Sequence, residues 1–188
     1  MKMKIQKIEF EIGAICPMKV DRWLSEKQPK TEDGYKEQAT KKVYKDDKGN
    51  CAIPTNALKA VIKNSVTDLG KKMESRKNKQ TIMSCLFFEK ELVTLTDKKG
   101  NPIKKPDCIA MDIVTRKGTG DKVTRVPTYR PLIKDWKAKG IIYNYGVDFN
   151  MLREAMELGG LRYGLLSHRP EFGRYELLKF VEVKNVKK

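Results

Sequence analysis

Apolar and polar residues alternate along two segments, one near each end of the chain. In residues 4–15, apolar side chains recur mostly at every second position until Cys16 and Pro17, and residues 174–183 show a similar pattern. A period of two is typical of a strand with one face in the core and one face in water. We therefore predict a first and a last strand at these places.

The clearest helical signal follows Pro54 and Thr55, a pair typical of a helix start. The positions that then recur at helical spacing before Gly70 are Ala57, Leu58, Val61, Ile62, Ser65, Val66 and Leu69. This spacing predicts an amphipathic helix with its apolar face buried. Lys59 and Lys63 lie four residues apart and away from that face, so we expect both to point outward.

The other segments are predicted from breaker residues and short apolar runs. Residues 25–50 are polar and Lys-rich, which predicts a long loop with a short strand at 42–44. The charge run at 71–81 predicts a frayed helix end or a mobile loop. A second helix, at 149–158, is capped by Asp148 and ended by Gly159 and Gly160. Further strands are predicted at 86–96, 108–115, 122–126 and 132–147, with a hairpin across the break at 118–121.

In chain order these elements are a strand, a helix, several strands, a further strand, a helix and a strand. This order is typical of two split β-α-β halves. We therefore predict an α+β fold with a ferredoxin-like (RRM-like) βαββαβ core, into which long loops and a basic hairpin at about residues 97–139 are inserted. The length of 188 residues suits a single domain.

The composition adds a strong positive charge to this picture. The chain has 40 Lys and Arg against 24 Asp and Glu, a net charge of +16. An anionic partner relieves such self-repulsion, and nucleic acid does so with release of counterions. The alternative is that Lys serves only solubility. We favour nucleic acid because the excess is large and unevenly placed, and we expect residues 1–188 to form a single nucleic-acid-binding domain.

Several other classes of protein are disfavoured by the sequence. It lacks a run of about 18 apolar residues and the pattern of a signal peptide, so we expect no membrane partner and a cytoplasmic location. The four cysteines are 35, 34 and 23 residues apart, and His168 is the only histidine. This spacing predicts reduced thiols packed as small apolar groups, with no metal site and no cofactor.

Residues 159–175, GGLRYGLLSHRPEFGRY, combine glycine with arginine and aromatic residues. Glycines let a backbone approach a bulky ligand, guanidinium groups bind phosphates bidentately, and aromatic rings stack on unpaired bases. The segment is therefore either an exposed binding loop or a connection whose glycines only form turns. Its candidate contacts are Arg162, Tyr163, His168, Arg169, Phe172 and Arg174.

A second basic stretch, residues 116–139, has eight Lys and Arg opposed only by Asp121 and Asp135. A hairpin with these charges would follow a phosphate backbone, with Tyr129 and Trp136 available for stacking. The alternative is a solvated hairpin with Trp136 in the core, and for this residue we favour the core. Together with Lys59 and Lys63, the candidate contacts here are Arg116, Lys117, Lys122, Arg125, Arg130 and Lys134.

His168 is the one candidate for catalysis, because an imidazole can act as general acid or base in a metal-free endoribonuclease. A single exposed histidine is more often a phosphate or base contact, so binding without catalysis is the expectation. Asp107 and Asp112 are five residues apart on a predicted strand and face opposite sides, so they could not share a metal ion.

Two motifs resemble those of a known superfamily. Residues 164–175 have the form Gly-Leu-x-x-x-Arg-x-x-x-Gly-Arg-aromatic, which resembles the glycine-rich signature of the RAMP superfamily, and residues 53–59, IPTNALK, are similar to the opening of a helix in its backbone subunits. The superfamily comprises RNA-binding subunits and processing nucleases of CRISPR effector complexes, built on ferredoxin-like folds. Residues 169–175 also resemble a stretch of uncharacterised bacteriophage proteins. The sequence departs from the superfamily pattern at Leu165 and Leu166, where Gly-x-Gly is typical.

The charge, the motifs and the resemblance together predict a non-catalytic protein that binds RNA or single-stranded DNA, mainly through electrostatic contacts. The resemblance implies a CRISPR-type effector subunit or a phage-encoded relative, with other subunits of a ribonucleoprotein complex or further copies of itself as partners. Two alternatives stay open. One is an endoribonuclease that uses His168, and the other is a phage protein that docks on an acidic host defence protein.

Overall fold

A computed structural model describes residues 5–69, 72–117 and 123–183 of the chain. The strands are β1 (Gln6–Ala14), β2 (Met18–Lys19), β3 (Ala52–Pro54), β4 (Leu86–Phe88), β5 (Leu92–Thr96), β6 (Cys108–Lys117), β7 (Val123–Ile133), β8 (Lys137–Asn144) and β9 (Tyr175–Glu182). The helices are α1 (Glu32–Thr40), α2 (Thr55–Leu69), α3 (Lys72–Cys85) and α4 (Phe149–Arg162).

The main sheet has a ferredoxin-like topology. Its strands lie in the order β3-β5-β8-β1-β9, and neighbouring strands are antiparallel. In chain order, β1, α2, β5, β8, α4 and β9 form two split β-α-β units. The predicted α+β fold with a ferredoxin-like core is thus confirmed. The additional strand β3 extends one edge, and the short β4 pairs with β8.

Helices α2 and α4 pack against each other and, with the main sheet, enclose the core. The apolar stripe of α2 is buried from Leu58 to Val66 as its spacing predicts, whereas Leu69 at its end is 40% exposed. The apolar face of β1 is buried as well. Trp136 is 1% exposed, which confirms its predicted place in the core. Other fully buried side chains of this core are Ile8, Phe10, Ile12, Leu58, Ile62, Leu152, Met156 and Tyr175.

Helix α4 continues past the two glycines that were predicted to end it. A Cβ on Gly159 would lie 2.5 Å from Val61 of α2, and a Cβ on Gly160 would lie 2.2 Å from the carbonyl oxygen of Tyr175. No side chain fits at such distances. The glycines therefore allow α4 to pack closely on α2 and β9, and their predicted role as helix terminators is wrong.

Two helices occupy segments that were predicted as loops or frayed ends. Helix α1 follows Thr31, whose hydroxyl accepts a hydrogen bond from the Gly34 N–H, and its first turn carries two acidic residues. It has no clear apolar stripe, so hydrophobic periodicity could not reveal it. Helix α3 spans most of the charge run at 71–81. The expected strand at 42–44 is replaced by a turn and a single bridge between Lys45 and Cys51.

Two of the predicted long strands are each divided in two. The segment 86–96 forms β4 and β5, and the segment 132–147 forms the end of β7 and the whole of β8. At the second break the chain bends at Asp135 and buries the indole ring of Trp136. The alternation of apolar residues continues through this break, which is why the pattern alone did not show it.

The predicted hairpin is formed by β6 and β7, which belong to a second sheet of order β2-β7-β6. Its turn lies outside the described residues. Since side chains alternate along a strand, Asp112 faces one side of the hairpin, and Met111 and Ile113 face the other. Helix α1 packs on β7, where Tyr35 stacks on Tyr129 with ring centroids 6.4 Å apart.

A five-residue repeat, Asp-x-Lys-Gly-Asn, forms two similar turns at residues 46–50 and 97–101. In both, the Asp carboxylate accepts hydrogen bonds from two backbone N–H groups and from the Asn side chain. The glycines have positive φ values of 75° and 88°, a region that favours glycine. Thr94 of β5 also donates to Asp46 at 2.7 Å, so the first turn is tied to the strand that leads into the second.

No helix in the described ranges is both long and apolar enough to cross a lipid bilayer. The four cysteines all lie within those ranges and are free thiols. Cys51 is buried, as predicted for a small apolar group, whereas Cys108 is exposed to solvent.

Candidate nucleic-acid interface

Residues 163–174, between α4 and β9, fold into a closed loop that we call the glycine loop. The Leu165 N–H donates to the carbonyl of Gly173 at 2.9 Å, which closes the loop on itself. The Ser167 N–H donates to the carbonyl of Lys19 at 3.1 Å, which ties the loop to β2. The loop is therefore held in place by backbone hydrogen bonds at its neck and along one side.

The backbone of the glycine loop is left-handed at four residues. The φ values are 67° at Gly164, 62° at Leu166, 57° at His168 and 76° at Gly173. For Leu166 and His168 this conformation costs on the order of 1–3 kcal/mol each. Such strain persists where the surrounding contacts enforce it, and it is concentrated at functional sites.

A network of polar side chains lies between the glycine loop and the β6–β7 hairpin, with Asp112 of β6 at its centre. The carboxylate accepts hydrogen bonds from Lys19 Nζ at 2.5 Å and from Arg130 Nη1 at 3.3 Å. His168 Nε2 lies 3.7 Å from the Oδ2 atom of Asp112. Arg130 Nε also donates to Asp21 at 2.8 Å. The side chains of Lys19, Arg130 and Asp112 are only 7%, 11% and 16% exposed.

Burial raises the pKa of Asp112, but the hydrogen bond from Lys19 and the surrounding positive charges outweigh it, and the pKa lies below its ordinary value. The carboxylate is therefore ionised at neutral pH. Without it, Lys19 and Arg130 would meet as like charges in a poorly hydrated place. Asp112 thus allows β2, the hairpin and the glycine loop to come together.

An open cleft of about 520 Å³ lies between the glycine loop and α2. Leu166 and Pro170 contribute apolar surface to it. The polar side chains that line it are Asn64, Arg162, Tyr163, Ser167, His168 and Arg169. The structure therefore brings four of the predicted contacts to one cleft, namely Arg162, Tyr163, His168 and Arg169. Asn64 and Ser167 add two neutral hydrogen-bonding groups.

Two of these predicted contacts are paired with Asp68 of α2. Tyr163 Oη donates to Asp68 Oδ2 at 2.9 Å, and Arg162 Nη1 lies 3.3 Å from the same oxygen. Burial and this hydrogen bond raise the pKa of the Tyr163 hydroxyl. The side chain of Arg162 remains 64% exposed. Since an exposed ion pair contributes about 1 kcal/mol or less, Arg162 can still bind a phosphate.

Arg169 and Arg174 are the cations of the glycine loop with the freest side chains. Both are exposed, and neither makes an ion pair within the described part of the chain. Phe172 is half-buried, and Lys19 Nζ lies 3.9 Å from its ring centroid. One face of that ring is therefore covered, so stacking on a base is restricted to the other face.

Three residues predicted to contact nucleic acid have a role in the fold instead. Arg130 is buried in the network around Asp112. Lys59 Nζ donates to the carbonyls of Met83 and Leu86 at 2.8 and 2.9 Å, and burial lowers its pKa. The expectation that Lys59 points outward is therefore wrong. Tyr129 is 6% exposed beneath α1 and is not available for stacking.

The other predicted contacts do not reach the cleft. Lys63 is half-buried on α2 and does not line it, while Arg125 and Lys134 are exposed on β7 and just after it. The single groove that was expected is therefore assembled only in part, at the cleft between the glycine loop and α2. Predicted contacts whose side chains fall outside the described part are Arg116, Lys117 and Lys122.

The open face of the main sheet, which RRM proteins use to stack bases, carries paired charges here. Glu9 of β1 accepts hydrogen bonds from Lys139 at 2.5 Å and from Lys179 at 2.7 Å, and these contacts lower its pKa. Tyr143 donates to Glu89 at 3.2 Å. Both lysines are already paired with Glu9, whereas Arg169 and Arg174 of the glycine loop make no ion pair within the described ranges. We therefore place the candidate interface at the glycine loop.

The sequence did not reveal Lys19, Asp21 and Asn64 as members of this site. Lys19 lies in a strand of two residues, which is too short to give a periodic signal. Asn64 follows Lys63 on the polar side of α2. Its place beside a basic residue was the only signal in the sequence for its role in the site. Trp23, which is 81% exposed, was also not singled out.

The sequence matches no protein-family model, and no curated protein is significantly similar to it. Among solved structures, a chain of the type III-B Cmr-beta complex bound to cognate target RNA is similar, with a TM-score of 0.59 and 13% identity over 96% of this chain. The match covers 61% of that longer chain. Cmr6 from Pyrococcus furiosus is similar with a TM-score of 0.50 and 11% identity, over 94% of this chain and 100% of Cmr6. At these identities the two structures show that this chain shares their fold.

Proposed function

We propose that this protein binds single-stranded RNA at the glycine loop and the cleft beside it, as a non-catalytic subunit of a CRISPR-type ribonucleoprotein or a phage-encoded relative of one. The observation that carries the proposal is the position of Arg169 and Arg174. They project from a loop that is fixed by hydrogen bonds, and they have no acidic partner within the described ranges. Fixed, unpaired guanidinium groups are suited to phosphate binding.

The charge and the fold support the same proposal. A net charge of +16 favours association with a polyanion. The cleft beside the glycine loop combines cations with apolar and neutral polar surface, which suits a strand whose bases are unpaired. We choose RNA over DNA because one structural relative is a chain of a complex bound to target RNA.

Fluorescence anisotropy with a labelled single-stranded RNA tests the proposal. The wild-type protein is expected to bind this RNA more tightly than a duplex of the same sequence, because stacking and cleft contacts need unpaired bases. The double variant Arg169→Ala/Arg174→Ala is expected to bind more weakly. Arg153→Ala is the matched control, since Arg153 is an exposed arginine on α4 that pairs with Glu157.

Two results would contradict the proposal. One is the absence of RNA binding by the folded wild-type protein at low salt, which would favour docking on an acidic protein instead. The other is an equal loss of binding free energy per charge removed in the Arg153→Ala control and in the double variant, which would mean that only total charge matters and that the glycine loop is not the site.

A second candidate function, a metal-free endoribonuclease, is favoured by the position of His168. Its ring lines the cleft, and its Nε2 atom lies 3.7 Å from a carboxylate oxygen of Asp112. The test is to incubate labelled RNA with the protein in the presence of a chelator. Cleavage that is lost in His168→Ala would support the enzyme, and intact RNA that is retained in a complex would restrict the function to binding.

A further inference from the structure

Asn64 of α2 lines the cleft beside the glycine loop, and its side chain is half-buried there. Its amide has no hydrogen-bond partner within the described ranges. An amide can donate two hydrogen bonds and accept two. It is thus an uncharged group with free hydrogen-bonding capacity, beside arginines whose charge suits them to phosphates.

The surroundings of Asn64 suit a nucleotide better than a phosphate alone. The cleft volume of about 520 Å³ lies within the range of about 300–1,000 Å³ that is common for small-ligand sites. Leu166 and Pro170 provide apolar surface, and the hydrogen bond to Asp68 fixes the position of the Tyr163 ring. Arg169 supplies an exposed cation at the same cleft.

We infer that this cleft takes one unpaired nucleotide of a bound RNA strand, with the amide of Asn64 reading the edge of its base and Arg169 binding a phosphate. The inference rests on the proposed function and adds base selectivity to it. Phosphate contacts by arginine position a strand without reading its sequence, whereas an amide pairs with a donor and an acceptor on one base edge. Asn64 is thus the residue that determines specificity.

The inference is tested by the affinities of single-stranded homo-oligomers of A, C and U for the wild-type protein and for Asn64→Ala. The wild type is expected to discriminate between its best and worst homo-oligomer by roughly 5- to 100-fold, as a bidentate base contact does. In Asn64→Ala this ratio is expected to fall towards one. The slope of affinity against salt is expected to stay unchanged, because no charge is removed.

Two further variants make the result specific to the amide. Asn56→Ala removes an exposed asparagine from the first turn of the same helix, away from the cleft, and is expected to leave the discrimination unchanged. Asn64→Leu keeps approximately the volume of the side chain but removes the amide, so it should behave as Asn64→Ala does. Retained discrimination in both folded Asn64 variants would overturn the inference.

The inference and the proposed function fail in different ways. If the wild type binds all three homo-oligomers tightly and equally, the inferred nucleotide site is wrong, but the proposed binding of RNA is supported. If the folded wild type binds none of them at low salt, the proposed function is wrong, and the nucleotide site falls with it.

Discussion

His168 Nε2 lies 3.7 Å from Asp112 Oδ2, and this approach joins two parts of the chain that the sequence places 56 residues apart. Asp112 is on the β6–β7 hairpin, and His168 is a left-handed residue of the glycine loop. The same carboxylate accepts a hydrogen bond from Lys19. The geometry of the candidate RNA site therefore depends on a carboxylate that does not line the cleft itself.

Replacing Asp112 by Asn is expected to destabilise the protein. The variant keeps the shape of the side chain but leaves Lys19 and Arg130 largely buried without their shared counter-charge. We expect the free energy of unfolding, measured in urea, to fall by about 1–3 kcal/mol.

The matched control for this change is Glu157→Gln, which breaks an exposed ion pair with Arg153 on α4. It is expected to cost less than about 0.5 kcal/mol. Similar small losses in both variants would mean that the Asp112 network does not hold the loop and the hairpin together.

The close approach of α4 to β9 predicts an unusual effect for Gly160→Ala. In an exposed helix, this change commonly stabilises by about 1 kcal/mol. Here the new methyl group would collide with the backbone of Tyr175. We expect a loss of about 1–3 kcal/mol in the free energy of unfolding. A neutral or stabilising result would restore the view that Gly160 only marks the end of the helix.

The turn at residues 46–50 predicts a dependence of stability on pH. The hydrogen bond from Thr94 is the largest cause that lowers the pKa of Asp46 from 3.8 to about 2, and burial opposes it. Because the folded pKa lies below the unfolded one, the ionised carboxylate stabilises the fold above about pH 4. This contribution is lost as the pH falls towards 2.

Urea unfolding at several pH values between neutrality and pH 2 measures this effect. In Asp46→Asn we expect a lower stability at neutral pH and a flatter decline on acidification than in the wild type. Asp47→Asn, at the exposed neighbouring position, is the control and should follow the wild-type curve. If the stability of Asp46→Asn depends on pH as that of the wild type does, the assignment of this pH dependence to Asp46 is wrong.

A substitution at Lys59 distinguishes an effect on the stability of the fold from an effect on RNA binding. Because its ammonium group donates to the carbonyls of Met83 and Leu86, Lys59→Ala is expected to lower the free energy of unfolding by about 1–2 kcal/mol. Its affinity for single-stranded RNA should stay close to that of the wild type while the variant is folded. A large loss of affinity with unchanged stability would mean that Lys59 belongs to the proposed RNA-binding surface.

The elements that the sequence predicted well are those with a strong apolar period. Strands β1 and β9, helix α2, the β6–β7 hairpin and the burial of Trp136 all follow from alternation or helical spacing. Helix α1 did not, because it is stabilised by the cap at Thr31 and by packing on β7 instead of by an apolar stripe. The role of Gly160 required knowledge of its partner Tyr175, which begins the next strand and meets α4 only in the folded chain.

The candidate site was predictable only in its most local part. The glycine loop could be recognised from its composition, since its glycines, arginines and aromatic rings are adjacent in the chain. The network around Asp112 could not, because Lys19 and Asp112 are 93 positions apart and meet only in the folded chain. For the same reason, Lys59 and Arg130 were predicted to be surface contacts although both are engaged by residues from other elements.

The dependence of RNA affinity on salt tests the role of the glycine loop most directly. For single strands, each phosphate contact contributes about −0.7 to the slope of log affinity against log salt concentration. We expect a steep negative slope for the wild type and a slope shallower by roughly 1.4 for Arg169→Ala/Arg174→Ala, from the loss of two such contacts. A flat slope for the wild type, or an identical slope and affinity for the double variant, would contradict RNA binding through these two residues.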